Sequence, residues 1–199
     1  DAKTKTYGEA DPALTYTNGN GVKEEVPSFT GELSRVEGED VGDYAIQQNT
    51  VALADNEESG FKAGNYVIAY TPNNLTISAN GTLTVAGTSY EGTYDGDGHG
   101  EAADTNVTKG TTISYSTDGG KNWSTDVPKV TDVSEITVNV KAENPNYVTA
   151  TGSYTLKVNP ATITVTAEAK TKTYGEADPA LTYTNGNGVK EEVPSFTGE

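Results

Sequence analysis

Apolar and polar residues alternate along most of this chain with a period of two. Ile113 and Tyr115 alternate with Thr112 and Ser114, and Ile136, Val138 and Val140 with Thr137 and Asn139. Tyr154, Leu156 and Val158 alternate with Thr155 and Lys157 in the same way. A period of two puts every second side chain on one face of an extended strand, so these runs predict half-buried antiparallel strands. Turn residues separate them: Asn18-Gly19, Asn20-Gly21, Asn80-Gly81, Asp118-Gly119-Gly120 and Asn144-Pro145-Asn146. The best helical candidates, around 22–26 and 53–61, are short and poorly periodic, enough for a single turn. The pattern predicts an all-β, mostly antiparallel fold.

A second regularity is longer. Residues 168–199 repeat residues 1–32 with one change, Asp1 against Glu168, so 31 of 32 positions match at a period of 167. Self-similarity at a fixed period is the mark of a module array. Inside the period lies a diverged echo: Asn65-Tyr66-Val67, Leu75-Thr76-Ile77 and Thr82-Leu83-Thr84-Val85 return as Asn146-Tyr147-Val148, Leu156-Lys157-Val158 and Thr162-Ile163-Thr164-Val165. The expected organisation is a module over 1–79, a second over 80–160 and the start of a third over 161–199. The joints, near Ala79-Asn80-Gly81 and Asn159-Pro160-Ala161, are short, which predicts an elongated rod of small sandwich-like or grasp-like modules.

The ends are expected to matter. Residues 161–199 are too few to bury a core of their own. By comparison with Thr162 to Ala167, the first module lacks the apolar part of its opening strand. The tail is therefore expected to pair with another molecule, adding the missing strand or exchanging for the first 32 residues.

Composition excludes several functions. The net charge of −16 argues against nucleic acid, which needs clustered Lys and Arg. No apolar run approaches the length of a membrane span, so no membrane insertion is expected. Cysteine is absent and His99 is the one histidine, which removes disulfides, thiolate sites and multi-imidazole zinc. Twelve tyrosines and regular Val, Ile and Leu exclude a disordered acidic tail. No catalytic constellation and no cofactor are expected.

The motifs that remain have mainly structural readings. Asp40-Val41-Gly42-Asp43-Tyr44 fits D-x-G-x-Y, in which a tyrosine hydroxyl bonds back to upstream backbone; Asp132 to Ile136 is a weaker echo with Ile in place of Tyr. Ser116-Thr117-Asp118-Gly119-Gly120-Lys121-Asn122-Trp123 fits the Asp-box of sialidase-like propellers. Arg35 is the sole arginine, so the arginine cluster of a sialidase cannot be assembled and a tight hairpin is expected. Trp123 remains a candidate for stacking on a sugar. In Tyr94-Asp95-Gly96-Asp97-Gly98-His99-Gly100 an acidic glycine-rich loop makes Asp95, Asp97 and Asp104 calcium candidates, against His99 and Asn106 where an EF-hand places ligands. Lys3 or Lys5 with Asn65 or Asn74 is a candidate pair for an isopeptide bond.

The run from Lys5-Thr6-Tyr7-Gly8-Glu9-Ala10-Asp11-Pro12-Ala13-Leu14 to Gly38-Glu39-Asp40-Val41-Gly42-Asp43-Tyr44-Ala45-Ile46 resembles the MBG domain of YGX type. The second module, with Tyr94-Asp95-Gly96, Asn146-Tyr147 and Tyr154-Thr155-Leu156, is similar to the YDG domain. The resemblance implies a tandem extracellular module of bacterial surface adhesins, non-catalytic, whose partners are neighbouring modules of the same protein. Two other roles are compatible with the residues: a module binding host glycan or mucin, and an accessory module of a secreted glycoside hydrolase.

Overall fold

A computed structural model describes residues 1–197. Its strands, in chain order, are β1 (Lys3–Thr6), β2 (Ser28–Thr30), β3 (Ser34–Arg35), β4 (Gly42–Gln47), β5 (Ala52–Ala54), β6 (Asn74–Ser78), β7 (Val85–Ala86), β8 (Tyr90–Thr93), β9 (Asp104–Thr105), β10 (Thr112–Ser116), β11 (Ser134–Glu143), β12 (Ala150–Asn159), β13 (Val165–Ala167) and β14 (Tyr183–Asn185). The fold is all-β and mostly antiparallel. The described residues contain no α-helix.

The residues fall into two compact units. The first comprises Asp1–Leu83 with the loops Val107–Thr111 and Glu143–Thr149; the second comprises Thr84–Asn106, Thr112–Ala142 and Ala150–Glu199. In the first, a four-stranded sheet has the order β1-β6-β4-β3, and β2 pairs with β5 in a separate ladder. Ile46, Val51, Phe61, Leu75 and Ile77 form the core, each at most 7% exposed. Leu75 and Ile77 occupy alternate positions of β6, as the period of two requires.

The second unit builds its main sheet in the order β10-β11-β12-β8. Val138 and Val140 of β11, Leu156 and Val158 of β12, and Tyr115 of β10 pack into one cluster with Ala103, Val130 and Tyr154. These include the strands whose alternation is strongest in the sequence. The echo at an offset of 81 has a structural counterpart: Leu75 of β6 lies opposite Lys3 and Tyr44, and Leu156 of β12 lies opposite Tyr90 and Ile136. Ile136 thus holds the register position of Tyr44, as the weaker motif suggested.

Two features differ from the sequence reading. β1 runs parallel to β6, and β8 parallel to β12, so each main sheet pairs its first and last strands in parallel. Alternation reports which face is buried but not strand direction, which is why these pairs escaped it. Of the helical candidates, the first is a single 3-10 turn at Val22–Glu24, but of unexpected handedness. Residues 22–25 form a tight turn in which Lys23 (φ 57°) and Glu24 (φ 63°) are both left-handed, closed by Gly21 N–H to Glu25 O at 2.7 Å. Lys190 and Glu191 repeat that turn. The 53–61 segment continues from β5 into turns, with a single 3-10 turn following at Ala63–Asn65.

The described part of the tail forms its own ladder, β13 against β14. It covers its apolar groups poorly, with Tyr174, Leu181 and Val193 at 103, 87 and 83% exposure. Of their counterparts in the first unit, Tyr7 and Leu14 are half-buried, whereas Val26 stays exposed.

Candidate functional site

The densest chemistry in the first unit gathers where β1, β3 and the loop before β4 meet. Lys5, on the inward face of β1, keeps only 3% of its side chain exposed. Its ammonium bonds Asp11 Oδ1 at 2.6 Å and Glu39 Oε2 at 2.5 Å. Arg35, at the end of β3, bonds Asp11 Oδ2 through Nε at 2.6 Å, and its other arm reaches the Glu39 carboxylate. Two cations and two carboxylates thus close a ring in which each partner bonds both of the opposite sign. Nη1 of Arg35 also donates to the carbonyls of Val36 and Gly38, so the guanidinium is held by backbone as well as charge.

The D-x-G-x-Y motif completes this cluster. Tyr44 donates its hydroxyl to Asp40 O at 2.8 Å, the back-bond expected of a tyrosine corner. The Arg35 guanidinium lies 5.3 Å from the Tyr44 ring centroid. Gly38 adopts φ +147°, and a Cβ there would lie 2.1 Å from Tyr44 Cε1, so the ring occupies the space a side chain would need. The turn Asn144-Pro145-Asn146, grouped with this unit, fastens the same loop: Val41 N–H donates to Asn146 Oδ1 at 2.8 Å, and Asn146 Nδ2 to Asp40 at 2.7 Å. Tyr7 meets Tyr147 edge to face at 5.4 Å. Lys5, Asp11, Glu39, Asp40 and Tyr44 of this corner belong to the runs that carried the resemblance in the sequence, and Arg35 joins them from outside those runs.

Hydrogen bonds from Arg35 and then Lys5 pull the Asp11 carboxyl down to about 2 from an ordinary 3.8, and Lys5 and Arg35 lower Glu39 as well. A carboxyl depressed on folding contributes stability above its unfolded value and loses it as pH falls through the folded one. Acid should therefore loosen the first unit between about pH 3.8 and about pH 2. Following Tyr44 resonances through that window in the parent and in Arg35→Gln checks this. The parent should lose stability steeply there, and the variant should show a much shallower dependence.

The other candidates lie apart from this corner. Of the isopeptide residues, Lys5 is committed to two carboxylates. Asn74 opens β6 opposite Ala45, Asn65 sits in a 3-10 turn, and Lys3 lies opposite Leu75. The calcium candidates are divided among other partners. His99 Nε2 contacts Asp95 Oδ1 at 2.9 Å and stacks on Tyr90 at 4.1 Å. Asp97 Oδ1 accepts from Lys190 at 2.8 Å, and Asp104 lies in β9 opposite Ala86. Among the described residues, no three His, Asp or Glu side chains converge as a metal site would need.

The Asp-box is a closed hairpin. Asp118 Oδ1 accepts from Ser116 Oγ and from the backbone N–H groups of Lys121 and Asn122, and Asn122 Nδ2 bonds Oδ2 at 2.6 Å. These donors hold the Asp118 carboxyl at about 2. Trp123 spends its indole N–H on Gly120 O at 3.0 Å, and Lys141 Nζ sits 4.9 Å from the ring centroid. Trp123 as a whole is 38% exposed.

From the sequence, Arg35 served only to exclude a sialidase, and Lys5 was a candidate only for an isopeptide bond. A lone arginine a few residues before Gly-Glu-Asp, in a chain this acidic, was the available signal for an ionic corner.

The architecture is that of a small all-β repeat module braced by polar side chains at its corners. The family model of the MBG domain (YGX type) matches residues 1–76 and again residues 163–198. These segments make up more than half of the chain, which belongs to the MBG (YGX type) domain family. No curated protein matches the sequence. MBG domains occur as repeat modules of surface proteins.

Proposed function

We propose that this chain is a load-bearing segment of a bacterial cell-surface stalk, in which MBG modules alternate with YDG-like modules over 80–160 and neither performs catalysis. The parallel pairing of first and last strands carries this reading. In the first sheet, tension entering before β1 and leaving after β6 pulls parallel neighbours in opposite directions. The pairs from Lys3 opposite Leu75 to Thr6 opposite Ser78 are then loaded together in shear. The pairs from Tyr90 opposite Leu156 to Thr93 opposite Asn159 repeat this geometry in the second sheet. Bonds loaded side by side must fail together, whereas an antiparallel hairpin pulled at its open end fails one bond at a time. Tethering the module between neighbours on the same polypeptide would supply such a load.

Single-molecule pulling tests the reading. Stretched from its two ends, the chain should show cooperative ruptures. Attached through residues 1 and 47 instead, the first sheet should open at a clearly lower force. Equal rupture forces in the two geometries would remove the mechanical argument.

A further inference from the structure

The turn Val-Lys-Glu-Glu occurs twice, at residues 22–25 and 189–192, and both copies hold the same backbone. Lys23 and Glu24 have φ of 57° and 63°, and Lys190 and Glu191 of 54° and 60°. Each turn is closed by the glycine before it, Gly21 N–H to Glu25 O at 2.7 Å and Gly188 N–H to Glu192 O at 2.6 Å. Two consecutive left-handed residues, neither of them glycine, are costly. That they recur beside different neighbours shows that the turn is set by its own bonds. The lysine is not part of the closure: Lys23 is exposed, and its ammonium has no partner among the described residues.

In the second copy the turn meets the loop Tyr94-Asp95-Gly96-Asp97, and both lie in the second unit. Lys190 Nζ donates to Asp97 Oδ1 at 2.8 Å and to Gly96 O at 2.7 Å. Tyr94 donates its hydroxyl to Glu192 Oε1 at 2.9 Å. Gly96 takes φ +76°, and a Cβ there would lie 2.9 Å from Lys190 Cδ and 3.0 Å from Cε. The glycine therefore turns the loop and also clears the path of the lysine stem. Asp95 is spent within the loop, where its carboxylate accepts from the Asp97 N–H at 2.9 Å and contacts His99 Nε2. Apolar packing adds little. An opening of about 390 Å³ beside the contact is lined by Tyr94, Val133, Ile163, Val189 and Glu192 among others, and Val133 and Ile163 stay 52 and 39% exposed.

We propose that the loop Tyr94-Asp95-Gly96-Asp97 is a docking seat for the left-handed Val-Lys-Glu-Glu turn of an adjoining MBG module, and that Lys190 is the residue it selects. A backbone carbonyl and a carboxylate together take a cation, and a long unbranched stem is what passes over a glycine. The Tyr94 hydroxyl reads the carboxylate two residues further on. Because the turn is already formed without the contact, seating it costs little ordering. Lys190 and Asp97 keep 54 and 71% of their side chains exposed, so the seat is a polar latch that salt weakens.

Spin labels attached through Thr137→Cys on β11 and Thr184→Cys on β14 test this in the full chain, which has no cysteine of its own. The parent should give one narrow distance distribution. Lys190→Glu should raise the undocked fraction about fivefold or more. Tyr94→Phe should act in the same direction and more weakly. Adding Asp97→Lys to Lys190→Glu should restore part of the narrow component, because the pair attracts again while Gly96 O has lost its donor. Lys172→Ala, which removes the exposed pair with Asp178 elsewhere in the tail, should change nothing. Four results would overturn the proposal: a broad distribution in the parent, no change in Lys190→Glu, equal broadening in Lys172→Ala, or a double variant no narrower than Lys190→Glu.

Discussion

Asp11→Ala should destabilise the first unit by about 2–3 kcal/mol, and Asp178→Ala should have no measurable effect. The two aspartates are the same residue of the repeat and make the same contact, Lys5 to Asp11 at 2.6 Å and Lys172 to Asp178 at 2.5 Å. Their surroundings differ. The Lys5 side chain is 3% exposed and Arg35 11%, whereas Lys172 is 44% exposed. Removing Asp11 leaves two largely buried cations to share Glu39. Breaking a buried pair costs about 3–5 kcal/mol, and the part-exposed carboxylate lowers that figure here. An exposed pair contributes about 0–1 kcal/mol. Urea unfolding followed at Tyr44 for the first variant, and at Tyr183 for the second, measures the contrast. Equal losses in both would show that the corner owes nothing to burial.

The second large effect lies in the apolar faces. Leu75→Ala and Leu156→Ala should each cost about 3 kcal/mol, within the range of about 2–5 kcal/mol for truncating a buried leucine. Both side chains are fully buried, and both sit where a last strand meets a first strand and an antiparallel neighbour. Val165→Ala, half exposed in β13, should change stability by less than about 0.5 kcal/mol. Thermal unfolding read by tyrosine circular dichroism for Leu75 and by Trp123 fluorescence for Leu156 tests this. A loss below about 1 kcal/mol at either leucine would mean the surrounding strands close the gap.

What could be read from the sequence was the part governed by local periodicity. Val138, Val140, Leu156 and Val158 announced their burial through spacing alone, and Asp118-Gly119-Gly120 announced a hairpin through its turn chemistry. The Tyr44 back-bond was legible too, since its spacing to Asp40 is short. The ionic ring was not, because Lys5, Asp11, Arg35 and Glu39 belong to separate segments that only the tertiary fold brings together. At residues 22–25 a single turn was legible, as the 3-10 turn Val22–Glu24 bears out, but its left-handed conformation was not. Val-Lys-Glu-Glu has good helical propensity, but its two central residues take left-handed angles that usually belong to Gly or Asn. The loop at Asn144-Pro145-Asn146 was identified as a turn, and nothing nearby in sequence pointed to its partners at Asp40 and Val41.

The pairing of first with last strands also sets the order of events during synthesis. β1 leaves the ribosome early, and its partner β6 follows only when about seventy further residues have been made, as the register of Lys3 with Leu75 requires. Until then the sheet cannot close, and Lys5 waits with its buried site unformed. Each sheet of this kind completes in one late, cooperative step, so a nascent chain stays open along most of its length and then locks.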